Sequence, residues 1–230
     1  MLAIWCSQML GYWYRLGNFE VSLDCSNLLL VIPTKQARNY PDACLIWIDA
    51  HADINTVEST DSGKSVNPLL EILSRDRIGN IHGMPVSFLL GIGSKVENFS
   101  WVQSILKPER LVYIGLRDVD PGEKKILREH NIKAFSMHDV DKYGIGKIVD
   151  MALDHVNPKR DRPIHLSFDV DALDPSVAPA TGTPVSDIQI LGIYFLFTFA
   201  LPRFEEDLHS AKAITSVRQC AKLACWWALI

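Results

Sequence analysis

A parallel α/β sheet is the fold that this sequence predicts, on three observations. Cys44-Leu-Ile-Trp-Ile48 is an unbroken apolar run that leads into Asp49-Ala50-His51-Ala52-Asp53-Ile54-Asn55. Pro163-Ile-His-Leu-Ser-Phe168, mostly apolar, repeats the design and ends in Asp169-Val170-Asp171, followed by a turn at Asp174-Pro175. Between and beside these runs, segments of strand character alternate with segments of helical period. Continuous apolar runs suit strands covered on both faces, and strand–helix alternation argues for right-handed crossovers between parallel neighbours.

Taken in order, residues 1 to about 34 show no clear period. Aromatic residues crowd their start, and Asn27 to Pro33 fits one short strand. Asn39-Tyr-Pro-Asp42 is a turn into the Cys44 strand. Thr56 to Gly63 is a polar loop, and Pro68-Leu-Leu-Glu-Ile-Leu73 fits a short helix with proline in its first turn. Leu111-Val-Tyr-Ile-Gly115 is a second buried strand, with a helix from about Pro121 to Glu129. Ala134 to Met137 is a short strand. Gly146 to His155 carries an apolar stripe at Ile148, Val149, Ala152 and Leu153, which predicts a helix. There is no internal repeat, low-complexity tract or linker, so the 230 residues read as one domain able to bury a sizeable core.

Composition narrows the function classes. With 48% hydrophobic and 22% charged residues, the chain has the balance of a soluble globular protein. A net charge of −4 gives no reason to expect nucleic acid or an anionic membrane as partner. Cys6, Cys25, Cys44, Cys220 and Cys225 are an odd number without CxxC spacing, the pattern of reduced intracellular thiols. Met1 to Cys6 lacks the basic leader of a signal peptide. Ile190 to Leu201 is apolar over twelve residues, short of the roughly 20 that a membrane span needs.

The chemistry concentrates at the two strand ends. Spacing of i, i+2 and i+4 places Asp49, His51 and Asp53 on one side of an extended chain, at the sheet edge where open α/β folds bind ligands. Two carboxylates and an imidazole that converge there call for a cation between them. Alone, the triplet fits equally well a strand exit whose polar side chains meet solvent or cap the next helix. Asp169 and Asp171 tip the balance. Oxygen ligands with an imidazole favour Mn, Mg or Zn, and four or five carboxylates exceed the needs of one divalent ion. A dinuclear centre accounts for the surplus.

Five stretches resemble ureohydrolase signatures: Asp49 to Asn55, Ser167 to Pro175, Pro179-Ala-Thr-Gly-Thr-Pro-Val185, Asn80 to Leu90, and Gly115-Leu-Arg-Asp-Val-Asp-Pro-Gly-Glu123. The last two point within that group to the arginases. The resemblance covers about residues 35–185, with 1–34 and 186–230 divergent and 64–79 an insertion. It implies a three-layer α-β-α arginase-like fold with a parallel central sheet, incomplete at its ends. It implies two Mn2+ ions whose activated hydroxide attacks the guanidinium of L-arginine, giving L-ornithine and urea, in the arginine catabolism of the urea cycle. By this resemblance Asp49 and Asp169 bridge the two metals, His51 and Asp171 complete one site, and Asp53 serves the other. His82 matches the proton-shuttling histidine. Asn55, Ser62, Asp120 and Thr183 match substrate-binding positions, and Glu123 supports them. Agmatinase is the neighbouring activity; Asp120 and the Ser62-Gly63 loop favour a substrate with an α-amino acid head. The family's trimer makes a homo-oligomer the expected state, in the cytoplasm or else in mitochondria.

Two departures from the family pattern define an alternative. No Gly-Gly-Asp-His-Ser segment occurs, and Met1 to Thr34 contains no histidine. The strand that supplies the family's guanidinium-binding glutamate is not matched beyond Val185. The alternative expectation is therefore a catalytically impaired arginase-like chain that retains partial metal binding.

Overall fold

In a computed structural model of the chain, the residues described are 14–16, 19–24, 40–59, 81–172 and 174. Ser62, Thr183, the 64–79 insertion with its Pro68–Leu73 helix, the Asn27–Pro33 strand and the 186–230 segment lie outside them.

Among the described residues, six strands form one sheet: β1 (Tyr14–Leu16), β2 (Phe19–Asp24), β3 (Cys44–Ile48), β4 (Leu111–Leu116), β5 (Lys133–Ser136) and β6 (Ile164–Asp169). Their spatial order is β1-β2-β6-β3-β4-β5. β2, β6, β3, β4 and β5 pair in parallel, while β1 joins β2 antiparallel at the edge. Helices α1 (Pro85–Leu90), α2 (Pro121–Glu129), α3 (Met137–Tyr143) and α4 (Ile145–Val156) occupy the crossovers. The predicted parallel α/β architecture is thus present, with one antiparallel strand added.

β3 explains why its sequence is apolar throughout. Alternate side chains of a strand face opposite ways. Cys44, Ile46 and Ile48 join Val112, Ile114, Leu166 and Phe168 in a core capped by Ile145, Ile148, Val149 and Ala152 of α4. Leu45 and Trp47 turn to the other face, with Tyr113, Val86 and Leu89 of α1, and Ile126 of α2. Both faces are therefore covered, and the layers run helix, sheet, helix.

Several boundaries differ from the sequence expectation for local reasons. The predicted strand Ala134–Met137 is Lys133–Ser136. Met137 instead opens α3, because Ser136 caps that helix: its hydroxyl accepts from the Asp139 amide at 3.2 Å, and the Asp139 carboxylate accepts from the Ser136 amide at 2.8 Å. α2 spans the predicted Pro121–Glu129, with Asp120 as its cap. The N-terminal region holds two strands where no period had been read. Phe19-Glu-Val-Ser-Leu-Asp24 alternates apolar and polar residues over its full length, the period-two signature, and it extends the sheet beside β6.

His165 lies buried in the middle of β6, between β2 and β3. Burial pushes its imidazole down to about 4 from the ordinary 6.5. Between those values the unfolded chain binds a proton that the folded chain refuses, so this residue's contribution to stability falls as pH drops from about 6.5 to about 4. The full loss amounts to roughly 3 kcal/mol. Urea melts of the parent chain and of His165→Gln, compared across that window, should differ by a slope of this sign; parallel pH profiles would contradict it.

Candidate metal centre

The site lies where β6, β3 and β4, adjacent in the sheet, end on the same edge. Asp49 follows β3 and is almost fully buried, 1% exposed. Its Oδ2 accepts the indole Nε1–H of Trp47 at 3.0 Å, and its Oδ1 accepts the His51 amide at 2.7 Å. Asp171 sits in a 3-10 turn, Val170–Ala172, directly after β6. Its amide donates to Asp169 Oδ1 at 3.0 Å, and its own Oδ1 accepts from the Ala50 amide at 3.4 Å. The two strand exits therefore hold each other.

Between the two carboxylates stands the His51 ring. Its Nδ1 is 3.1 Å from Asp171 Oδ2 and 3.5 Å from Asp49 Oδ1, and its Nε2 is 3.6 Å from Asp118 Oδ2. Asp49, His51 and Asp171 each offer a ligand atom within 4.8 Å of the others. Asp53 and Asp169 stand outside that trio, though each feels its charge.

Electrostatics record the crowding. Burial pushes Asp49 up to about 6, against the lowering influence of His51. Burial and the charges of Asp49 and Asp171 push Asp169 up to about 8. Asp53 is raised well above the ordinary carboxylate range, by burial and then by Asp49 and Asp169. The hydrogen bonds that Asp171 and then Asp49 accept from the His51 ring push His51 up to about 11. Folding thus raises the proton affinity of the cluster, and the lone pairs that attract protons are those a hard divalent cation would take. By its donor chemistry, this set of residues fits a hard divalent metal ion.

A second polar network adjoins it. Asn55 donates through Nδ2 to Asp120 Oδ2 at 2.7 Å and accepts from the Ser59 hydroxyl at 2.7 Å. Asp120 caps α2, accepting from the Glu123 amide at 2.8 Å. The Glu123 carboxylate returns the bond to the Asp120 amide and also accepts from the Ile54 amide, both at 3.2 Å. One capping box thereby anchors the loop that carries Asp53. Gly122 is required by close approach: a Cβ there would stand 2.9 Å from the Ser59 carbonyl oxygen. His82 is exposed on a 3-10 turn, Ile81–Gly83, and the Gly83 carbonyl accepts from the Asn55 amide at 2.9 Å.

Supporting residues were missed in the sequence. The Tyr113 hydroxyl donates to the Ala52 carbonyl at 2.7 Å, and Trp47 grips Asp49. A signal existed: an indole or a phenol inside a buried strand needs a polar partner, and the strand ends supply it. Arg117, whose guanidinium reaches the carbonyls of Asp171 and Ala172, gave no such signal.

A parallel α/β sheet with a carboxylate–histidine cluster at its carboxyl edge defines a class of ligand- or metal-binding α/β proteins. The sequence profile of the Arginase family matches residues 30–187, and the chain belongs to that family. It is 63% identical over 150 residues to the arginase of Glaciozyma antarctica, covering 64% of this chain and 39% of that protein. An arginase of Schizosaccharomyces pombe is 54% identical over 147 residues, covering 64% of this chain and 41% of its own length. Among solved structures, the cold-adapted Glaciozyma antarctica arginase superposes with a TM-score of 0.57 at 57% identity, covering 68% of this chain and 52% of that one. Bacillus caldovelox arginase gives a TM-score of 0.67 at 29% identity, over 91% of this chain and 67% of its own. The chain thus spans about two fifths of the length of these curated relatives.

Linkage between protons and metal gives a test. As pH rises from 6.5 to 8, the folded metal-free chain gives up protons on Glu123 (pushed up to about 7 by burial) and Asp169, and keeps one on His51, that the unfolded chain releases at lower pH. Each group is raised on folding, so stability falls as pH rises through this window. Thermal melts in EDTA should show that decline, and saturating Mn2+ should flatten or reverse it. A melting temperature that rises with pH in EDTA would count against the arrangement.

Proposed function

We propose that this chain is an arginase-type hydrolase, acting on a linear amidine: it cleaves L-arginine to L-ornithine and urea with Mn2+ as cofactor, in arginine catabolism and the urea cycle. The convergence of Asp49, His51 and Asp171 at one sheet edge carries this reading. In it, Asp49, Asp169, His51, Asp171 and Asp53 would hold the ions, with Asp49, His51 and Asp171 closest together. When bound, such ions lower the pKa of water and make a nucleophile available near neutral pH.

The chain's own residues do the rest. Trp47 and the His51 amide fix both oxygens of Asp49, so that carboxylate cannot rotate away. Asn55 and Asp120, locked together and tied to α2, offer a rigid polar pair for the α-amino acid head of the substrate, with Ser62 and Thr183 as further partners. His82, exposed on its turn, has the solvent access that a proton-exchanging imidazole requires. Glu123 holds Asp120 and the Asp53 loop in place. The soluble homo-oligomer, a trimer in the cytoplasm or mitochondria, completes the proposal.

A second reading, an arginase-like chain with partial metal binding, is favoured by one observation. Among the described residues the close-set donor group contains a single histidine and leaves Asp53 outside. Manganese per chain and urea release, measured on the same Mn-loaded preparation, separate the two. Two ions, with urea and ornithine in equal amounts, are the expected result. One ion without urea would establish the second reading, and no bound ion would exclude both. Asp171→Asn should weaken Mn binding by more than the about 10–100-fold typical of an outer-shell change.

A further inference from the structure

The exits of β3, β4 and β6 are joined by a closed circuit of hydrogen bonds in which Arg117 supplies the side chain. At the β3 exit, the Ala50 carbonyl accepts from the Arg117 and Asp118 amides, each at 3.0 Å. The Ala50 amide in turn donates to Asp171 Oδ1 at 3.4 Å. From the β4 exit, the Arg117 guanidinium reaches across to the turn after β6, donating through Nη2 to the Asp171 carbonyl at 2.6 Å and through Nη1 to the Ala172 carbonyl at 3.0 Å. Three strand ends are therefore tied to one another, and Arg117 takes part in two of the three links.

We propose that Arg117 is a positioning residue for the metal centre: its fork grips the 3-10 turn, Val170–Ala172, and so fixes where Asp171 stands relative to His51 and Asp49. This inference rests on the metal-site reading above and adds a role for a side chain that itself ligates nothing. A planar fork with fixed donors is suited to the task. Two consecutive carbonyls accept from one guanidinium, which sets the orientation of the turn as well as its distance. The group also places a permanent positive charge beside the Asp171 backbone in a neighbourhood dominated by carboxylates, where like charges would otherwise push the turn outward. A lysine ammonium carries the charge without the fork.

Arg117→Met and Arg117→Lys test it, read by Mn2+ titration in which the free ion is followed by electron paramagnetic resonance. The expected result for Arg117→Met is an affinity lower by about 10–100-fold, the range for lost outer-shell support. Arg117→Lys should recover only part of that loss. Melting in EDTA, run alongside, separates positioning from bulk support. A merely structural role would lower the melting temperature and leave Mn affinity of the folded chain unchanged, which overturns the proposal. Parental affinity in both variants overturns it as well, with the metal-site reading intact. Failure of the parent chain to bind Mn2+ would remove both.

Discussion

Negative charge gathered faster than the fold can neutralise it is the constraint around which this structure is arranged. Parallel pairing of β6, β3 and β4 brings all three carboxyl ends to one edge, and those ends carry Asp49, Asp53, Asp169 and Asp171. Two like charges about 4 Å apart cost about 4 kcal/mol at the effective dielectric of a protein boundary. Several such pairs would exceed the net stability of an ordinary domain. The folded chain answers by raising the proton affinity of Asp49, Asp53 and Asp169 and by setting the His51 ring between Asp49 and Asp171. A divalent cation answers better, because a single ion meets several lone pairs at once.

The scaffold keeps this edge from relaxing. On one sheet face α3 and α4 close an apolar core. On the other, α1 and α2 pack against Leu45, Trp47 and Tyr113, and two of those three also reach polar groups at the strand exits. That second face thus combines core packing with site support. The α2 capping box does likewise, since one carboxylate, Glu123, serves both the helix end and the Ile54 amide. Loss of such a group would loosen the fold and the site together.

Much of this was legible from residues alone. β3 announced itself by an unbroken apolar run and β6 by a mostly apolar one ending in Asp-x-Asp, because both of their faces are covered. Their terminal aspartates could be assigned to one edge because parallel strands leave no other choice. β2 was also written in the sequence as a strict alternation, but the crowded aromatics before it obscured the period. α3 was missed because its signal is a cap, Ser136 and Asp139, rather than a stripe. Arg117 was invisible as support for a deeper reason. Its partners are the backbone carbonyls of Asp171 and Ala172, 54 and 55 residues away, and a carbonyl has no letter in a sequence.

Asp53 bends the chain as well as carrying charge. Its φ is +49°, in the left-handed region that side-chain-bearing residues seldom enter and that Asp and Asn enter more readily than most. The bend lets Ala52 and Ile54 stay fully buried on either side while the Asp53 carbonyl accepts from the Val86 amide at 3.0 Å. Position 53 is therefore filtered twice, by torsion and by charge. Glycine satisfies the torsion alone, glutamate the charge alone, and asparagine the torsion with a neutral oxygen. Of the twenty side chains, aspartate alone meets both demands, so the shape of the loop by itself narrows the alphabet at this point in the chain.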